Sequence, residues 1–284
     1  MTQADAQPRP NAVLQGLAQG EPLFSLGIRN ARTAEIVRIA KTAGFGLVWI
    51  DLEHSSLSID CAVQIMASAG DLGLEAWVRV PERDYGVIGR LLDGGATGII
   101  APRAETAEEA RRIVNAARFP PRGQRSQIAL LPQTQYRRMS AAELMRCADL
   151  ATTVHILIES GEGVRNADAI AAIDGVDVLH VGLNDLSVDL GHVDHLRHAD
   201  VLDACKRVIA AAHGHGKLAV VGGASDPALF MELLNAGAAP LVFAAIDTDV
   251  LAAGLTQRAA DWGQRIQEWR SKAQGAIRSN EPSR

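Results

Sequence analysis

Short apolar runs recur along the chain, and each is followed by a longer stretch in which apolar residues return every three or four positions. The short runs are apolar on both faces, which is typical of parallel strands covered by helices. We predict strands at residues 23–28, 47–51, 75–80, 97–101, 153–158, 176–181, 217–221 and 241–244. The longer stretches predict helices at residues 33–43, 59–71, 106–117, 162–172, 227–235 and 248–272, one that ends at 93 and one that ends at 213.

Eight strand–helix units in 284 residues predict an α/β fold, a single (β/α)8 TIM barrel over residues 21–273 with a long C-terminal helix. The alternative is a doubly wound open sheet. The chain has no Gly-x-Gly-x-x-Gly sequence after the first strand, which disfavours a dinucleotide-binding fold of that kind. Residues 1–20 are expected to form a flexible segment and residues 274–284 a disordered tail.

Two polar segments are longer than simple connections need to be. Residues 119–140 are rich in Pro, Arg and Gln, and residues 182–200 form a predicted polar loop after the sixth strand. Long irregular segments in compact domains are usually functional. Residues 119–140 are therefore expected to form a functional loop.

Charge and composition narrow the possible partners. The net charge is −5 with both signs interspersed, so no basic face for nucleic acid is expected. No stretch approaches eighteen consecutive apolar residues, and the first twenty residues lack the pattern of an export signal. Three widely spaced cysteines suggest neither a disulfide framework nor a thiolate metal site, so we expect a cytoplasmic protein that binds no membrane.

Acidic and basic side chains follow the predicted strands at their carboxyl ends, where the chemistry of such barrels lies. Asp51, Glu53 and His54 come after the second strand, although an ordinary strand-to-helix loop with a serine cap is the alternative. Arg79 shares the inward face of the third strand with Trp77. It is expected to bind a carboxylate or stabilise an oxyanion, and the alternative, a structural ion pair with a strand-end acid, does not exclude that role.

Glu159 and Asp185 follow neighbouring strands and are predicted to converge on one divalent cation, since hard oxygen ligands suit Mg²⁺ or Mn²⁺. The alternative is two independent solvated carboxylates. A zinc site built from His192, His195 and His198 is less favoured, because no further ligand completes it.

Lysine placement argues against one mechanism. Of the four lysines, only Lys217 touches a strand, and it lies at the N-terminal end. A Schiff-base aldolase mechanism therefore has no suitable nucleophile.

Five sequence motifs occur in order at the predicted strand ends. They are Asp51-x-Glu53-His54, Arg79-Val-Pro, Leu91-Leu92-Asp93-x-Gly95-Ala96, Ile158-Glu159 and Gly182-x-x-Asp185-Leu186-Ser187. In this order they resemble the HpcH/HpaI family of class II, metal-dependent pyruvate aldolases, typified by 4-hydroxy-2-oxoheptanedioate aldolase. The resemblance runs from about Leu23 to Ala260.

The resemblance implies an enzyme, a carbon–carbon lyase that cleaves or forms 4-hydroxy-2-oxoacids through a metal-bound pyruvate enolate and releases or consumes an aldehyde. It implies that Glu159 and Asp185 hold Mg²⁺, Mn²⁺ or Co²⁺. His54 would be the base, oriented by Asp51 and made more basic by Asp93, and Arg79 would stabilise the enolate oxygen. It further implies a homo-oligomer, a hexamer built as a trimer of dimers that exchange the last helix.

Three positions depart from the family pattern around the substrate. Leu157 stands where the family usually has a substrate-contacting Gln, and Gly182-Leu183-Asn184-Asp185 replaces the usual Gly-Pro-Ala-Asp. Substrate contacts are therefore expected from Arg79, Gly182, Asn184 and Leu157. These departures keep two alternatives open, a family enzyme that decarboxylates oxaloacetate or condenses it with another acceptor, and a barrel that binds a keto acid without turnover.

Overall fold

Eight parallel strands form a nearly closed barrel in the computed structural model, which describes residues 11–279. Neighbouring strands pair in the order β7-β6-β5-β4-β3-β2-β1-β8, so chain order and spatial order agree except at β8, which returns to β1. The prediction of a single α/β barrel is confirmed. The strands are β1 Leu23–Ile28, β2 Leu47–Asp51, β3 Glu75–Arg79, β4 Gly98–Ala101, β5 Thr153–Ile158, β6 Val178–Gly182, β7 Leu218–Gly222 and β8 Leu241–Ile246.

Twelve helices accompany the strands within the described residues. They are α1 Ala12–Ala18, α2 Glu35–Thr42, α3 Ile59–Asp71, α4 Ile88–Asp93, α5 Ala107–Ala117, α6 Ala141–Ala151, α7 Gly161–Arg165, α8 Ala167–Ala171, α9 Leu183–Asp189, α10 Ala199–Gly214, α11 Pro227–Asn235 and α12 Asp247–Ser279. Side chains cap several of them; Ser58 accepts a hydrogen bond from the Cys61 amide at the start of α3, and Thr106 forms a capping box with Glu109 at α5. None of the helices in the described range is both long and apolar enough to span a bilayer.

Two layers of apolar side chains make up most of the core, and a separate small cluster of Phe119, Leu131, Leu144 and Ala148 joins the segment after α5 to α6. The larger layer lies between the strands and the surrounding helices, and the smaller one fills the barrel interior. Inward residues alternate along each strand, as the period of two requires. The interior layer contains Trp49, Trp77, Leu157, Val178 and Val220, so the barrel is packed below its mouth.

The N-terminal segment differs from expectation. Residues 1–10 lie outside the described range, but α1 is ordered by an N-cap in which the Asn11 side chain accepts hydrogen bonds from Val13 and Leu14. Leu17 is buried in the interior cluster. A flexible segment over the whole of residues 1–20 was therefore the wrong expectation for α1, because its apolar side packs on the barrel.

The first turn of α12 is tied to the loop after β1. The Asp247 carboxylate accepts hydrogen bonds from the backbone amides of Arg29, Asn30 and Ala31 at 2.7–3.2 Å. From residue 249 to 272 every residue is exposed, including apolar ones: Val250, Leu251, Leu255, Trp262, Ile266 and Trp269. The predicted long C-terminal helix is confirmed, and it runs through Ser279 into the region where we expected a disordered tail.

The two long polar segments contain more structure than expected. Residues 119–140 include a one-turn 3-10 helix at Pro132–Thr134, and the Gln133 side chain ties it to α4 by hydrogen bonds to the carbonyls of Leu92 and Ala96 at 2.5 and 3.2 Å. The predicted loop at residues 182–200 begins with helix α9. Its apolar side, with Leu183 and Leu186 fully buried, explains why that part is helical.

Candidate active site

A cavity of about 540 Å³ opens at the carboxyl ends of the strands. Strands on several sides of the barrel contribute to it. Glu159 and Asp185 line one part, and the remaining lining includes Arg29, Trp49, Arg79, Leu157, His180 and Phe243. A pocket at this end of the barrel is the expected location of an active site.

Asp51 and Arg79 form a buried, two-pronged ion pair on one side of this cavity. They are register partners at the ends of β2 and β3. Arg79 Nε donates to Asp51 Oδ1 at 3.0 Å, and Nη2 donates to Oδ2 at 2.6 Å. Arg29 Nε also donates to Asp51 Oδ2 at 2.6 Å, and the Arg79 guanidinium lies 5.4 Å from the centre of the Trp49 ring. This region is therefore held rigidly before any ligand binds.

Electrostatics explain why this buried pair is stable. Burial by itself would raise the pKa of Asp51, but the hydrogen bonds and charges of Arg79 and Arg29 outweigh it and hold that pKa below its ordinary value. The pKa of Arg79 is raised, because Asp51 and Glu53 outweigh the opposing effect of burial. Both groups are fully charged at neutral pH.

Glu53 and His54 lie in the loop that follows β2. Asp51 Oδ1 accepts hydrogen bonds from the backbone amides of both residues at 3.1 Å, so Asp51 fixes this loop. Glu53 Oε2 lies 3.2 Å from Arg79 Nη1 and 3.7 Å from His54 Nε2. Burial raises the pKa of Glu53, and Arg79 partly opposes that effect. The His54 side chain is 53% exposed.

Glu159 is a buried carboxylate with few partners. Its one hydrogen bond within the described residues comes from the backbone amide of Arg103 at 3.3 Å. Burial, followed by the nearby charges of Asp185 and Glu53, raises the pKa of Glu159 to about 7. Gly182 makes room for this side chain, since a Cβ atom at that position would lie 2.6 Å from Glu159 Oε1.

Asp185 lies in the first turn of α9, one strand away from Glu159. Two carboxylates that share a cavity and repel each other form a suitable oxygen ligand set for a divalent cation, because the cation would offset the cost of ionising Glu159. The donors present therefore fit the ion that the family motifs imply. Asn184 precedes Asp185 and is exposed at the cavity, beside Gly223.

Asp93 is not brought into contact with His54 in the described part of the chain. Its carboxylate accepts a hydrogen bond from Arg125 Nη2 at 2.7 Å, and the Arg125 guanidinium lies over the Phe119 ring at 4.6 Å. Asp93 thus connects α4 to the long segment after α5. Likewise no hydrogen bond joins the Asp51 carboxylate to the His54 ring among the described residues, so Asp51 acts on His54 only through the loop backbone.

The cavity residues that were missed in the sequence reasoning include Arg29, His180 and Phe243. A signal for two of them was present. Arg29 directly follows β1, as Glu159 follows β5. His180 lies two positions from both Val178 and Gly182 on β6, so its side chain points to the same inward face. Phe243 is indistinguishable by sequence from an ordinary core residue of β8.

The histidine-rich loop before α10 has a structural explanation. His198 caps that helix by accepting a hydrogen bond from the Asp200 amide, and His192 Nε2 lies 2.9 Å from Asp200 Oδ2. The side chains of His192, His198 and Asp200 do lie close enough together to hold an ion. One nitrogen of each of these two histidines already contacts Asp200, which is the further ligand group that the sequence did not reveal, and His195 is not part of the group.

A cavity lined by acidic and basic side chains at the carboxyl ends of the strands is where enzymes with an eight-stranded parallel barrel have their active sites. A family model described as HpcH/HpaI aldolase/citrate lyase matches residues 28–253. The chain belongs to the HpcH/HpaI aldolase/citrate lyase family, and the predicted resemblance is confirmed.

Several proteins similar to this chain are named as aldolases. The chain is 39% identical over 215 residues to a 4-hydroxy-4-methyl-2-oxoglutarate aldolase from Hapsidospora irregularis, covering 75% of this chain and 80% of the relative. It is 32% identical over 263 residues to a hydroxypyruvate/pyruvate aldolase from Roseobacter denitrificans, covering 90% and 99%. A crystal structure of an HpcH/HpaI aldolase from Desulfitobacterium hafniense superposes with a TM-score of 0.80 at 27% identity, covering 92% of this chain and 98% of that one.

Proposed function

We propose that this protein is a divalent-metal-dependent aldolase that cleaves or forms the C3–C4 bond of 4-hydroxy-2-oxoacids. Membership of the family and the assigned activities of its relatives support an aldehyde-lyase reaction. The observation that carries the proposal is the buried, poorly partnered Glu159 next to Asp185 across the cavity from Arg79.

Glu159 and Asp185 are the residues that would hold the ion, which we propose to be Mg²⁺, Mn²⁺ or Co²⁺. A bound divalent ion would act as a Lewis acid toward the carboxylate and keto oxygens of the substrate. Gly182 keeps the space in which the Glu159 carboxylate sits. The exposed Asn184 and the apolar Leu157 line the same cavity and are our proposed substrate contacts there.

Arg79 and His54 carry the remaining steps. In the cleavage direction the His54 imidazole accepts, through water, the proton of the substrate's 4-hydroxyl group. The electrons of the C3–C4 bond then form the enolate of the 2-oxoacid as the aldehyde or ketone leaves, and the Arg79 guanidinium stabilises the developing negative charge on the enolate oxygen. The proton taken up is available to C3 in the final step.

Asp51 prepares both groups for this reaction. It keeps the Arg79 guanidinium charged and oriented, and its hydrogen bonds to the loop amides fix the backbone from which His54 projects. Asp93 contacts Arg125 in the single chain. We propose for Asp93 only that it affects activity indirectly, by ordering the segment after α5.

The test is to incubate the purified protein with Mg²⁺ or Mn²⁺ and to follow pyruvate release from 4-hydroxy-4-methyl-2-oxoglutarate, 4-hydroxy-2-oxoheptanedioate and oxaloacetate. We expect release from at least one of the two hydroxy acids that stops on addition of a chelator and returns with metal. Release from oxaloacetate alone would instead indicate a decarboxylase. No release from any of them would contradict the proposed function.

We also propose that α12 pairs with another copy of the chain. Four large apolar side chains of α12, Leu255, Trp262, Ile266 and Trp269, are exposed in the single chain, and clusters of exposed apolar side chains mark interaction sites. Light scattering of the intact protein should give a mass that is a multiple of 30.2 kDa. Trp262→Glu with Trp269→Glu should lower that mass, whereas a monomeric wild type would contradict the proposal.

Cys61, Cys147 and Cys205 are free thiols. We propose that the protein works in the reducing cytoplasm, where such thiols persist. Fractionation of cells that express the tagged full chain tests this location.

A further inference from the structure

One polar side chain of the cavity has no role in the reaction described above. His180 lies on the inward face of β6, and its imidazole stacks on the Phe243 ring with centroids 4.8 Å apart and planes at 25°. The residue is 5% exposed and lines the cavity. It sits one inward position below Gly182, the residue that makes room for Glu159. His180 therefore forms part of the cavity floor directly beneath the carboxylates.

The hydrogen bonding of this imidazole is incomplete. Its Nδ1 atom is buried without a partner, and neither ring nitrogen makes a hydrogen bond to another described residue. The Nε2 atom faces the space left by Gly222, where an added Cβ atom would lie only 2.8 Å away. A nearly buried polar group with no protein partner, aimed into a cavity, is what a ligand-binding group looks like before its ligand is bound.

The protonation state decides what His180 can offer. Burial and the positive charge of Arg79 lower the pKa of His180 to about 3, so the ring is neutral and carries one N–H group at neutral pH. Buried donors without acceptors are rarer than buried acceptors without donors. The proton therefore belongs on Nε2, which makes His180 a neutral hydrogen-bond donor toward the cavity.

The neighbouring strand explains why a donor is needed at this position. Leu157 on β5 is the register partner of His180, so the two side chains reach the same level of the barrel interior from adjacent strands. Leu157 has no polar atom. If the floor is to contact a polar substrate at this level, His180 is the side chain of the pair that can do so.

We propose that His180 is a substrate-binding residue whose Nε2–H donates a hydrogen bond to an oxygen atom of the bound 2-oxoacid, a contact that Leu157 cannot make. The proposal rests on the proposed function only for the class of ligand. It assigns the floor of the cavity to the 2-oxoacid that becomes the enolate, and not to the aldehyde.

The experiment measures steady-state aldol addition of pyruvate and of hydroxypyruvate to glycolaldehyde with Mn²⁺ present. In His180→Phe the ring and its stacking remain but the donor is lost, so the KM for the 2-oxoacid should rise about tenfold, as expected for one hydrogen bond to a charged or polar group. The KM for glycolaldehyde should change less than about twofold, because the floor does not contact it.

Three further variants make the result specific. His180→Gln keeps an N–H donor and should retain most of the wild-type affinity for the 2-oxoacid. Leu157→Gln added to His180→Phe places a donor on the partner strand at the same level and should restore part of the lost affinity. His155→Phe is the matched control, because His155 is also buried inside the barrel but bonds Thr153 and does not line the cavity.

The two substrates identify the oxygen that accepts the bond. An equal rise in KM for both in His180→Phe supports a contact to the carboxylate or keto oxygen, and a rise for hydroxypyruvate alone supports a contact to its hydroxyl group. Unchanged KM values in a folded His180→Phe variant, or an equal rise in His155→Phe, would overturn the proposal. If the wild type catalyses no aldol addition, the proposed function fails separately, and calorimetric binding of the two acids to the Mn²⁺-treated protein still tests His180.

Discussion

Asp51 and Glu159 are both buried carboxylates at the carboxyl ends of the strands, yet their electrostatic environments are opposite. Asp51 has two arginine partners and two backbone amide partners, and its pKa is lowered. Glu159 has one amide partner and two acidic neighbours, and its pKa is raised to about 7. The protein itself therefore completes the Asp51 side, and the contrast agrees with our proposal that a cation would complete the Glu159 side.

Removing the Glu159 carboxylate, which has few protein partners, should have the largest effect on activity. Glu159→Gln is expected to lower kcat/KM by about 10³-fold or more, because a metal ion contributes several kcal/mol of charge stabilisation to the transition state. Pyruvate release measures the loss of activity, and calorimetry measures the accompanying loss of Mn²⁺ binding. Glu162→Gln is the matched control, since Glu162 is exposed on α7. Full activity in Glu159→Gln would show that catalysis does not need this carboxylate, and the contrast with Asp51 would then have no functional meaning.

Removing the base should lower activity while leaving metal binding intact. His54→Ala is expected to lose about 10²- to 10⁴-fold in kcat, the usual contribution of a positioned general base. Its Mn²⁺ affinity should equal that of the wild type, because His54 is not part of the carboxylate pair. His195→Ala, at an exposed histidine, provides the control. Normal cleavage by His54→Ala would mean that another group takes the proton.

Replacing Asp51, whose partners are all supplied by the protein, should instead lower the stability of the fold. Asp51→Asn is expected to reduce the free energy of unfolding by about 3 kcal/mol, because it leaves the buried Arg79 without its anionic partner. Urea denaturation measures this loss. Asp226→Asn removes a partner from Arg197 at the surface and should have little effect. Equal stabilities of Asp51→Asn and the wild type would show that the ion pair is not structural.

The smallest expected effect is the pH dependence of metal binding, which should follow the protonation of Glu159. Since the pKa of Glu159 in the metal-free protein is about 7, the ion must displace a proton at any lower pH. The apparent Kd for Mn²⁺ should rise about tenfold for each unit of pH below 7 and level off above it. Calorimetry between pH 5.5 and 8 tests this, and a flat profile below pH 7 would contradict the raised pKa.

The same raised pKa sets the sign of a stability effect in the metal-free protein. The unfolded chain releases the Glu159 proton near its ordinary pKa, whereas the folded chain keeps it until about pH 7. The folded state therefore binds more protons in this interval, and its stability falls as the pH rises through it. Glu159→Gln removes this contribution, so its unfolding free energy should depend less on pH there.

Most of the strand positions were predictable, because successive side chains of a strand point to opposite faces. This alternation is a local property of the strand and does not depend on which elements pack against it. The inward placement of Arg79 followed from this alternation, and the positions of Glu159 and Asp185 in the cavity followed from their places just after β5 and β6. Helix α9 was not predicted, because Gly182 and Asn184 favour a loop, and only burial of Leu183 and Leu186 against the barrel makes that segment helical.

The sequence by itself determined the order of strands and helices, the face on which each strand residue lies, and the strand ends where acids and bases gather. Tertiary structure alone decided which of these groups meet. Arg29 reaches Asp51, Asp93 pairs with Arg125, and His180 stacks on Phe243. Local periodicity sets the direction of a side chain, but its partner is set by barrel closure, which brings together residues that are far apart in the chain.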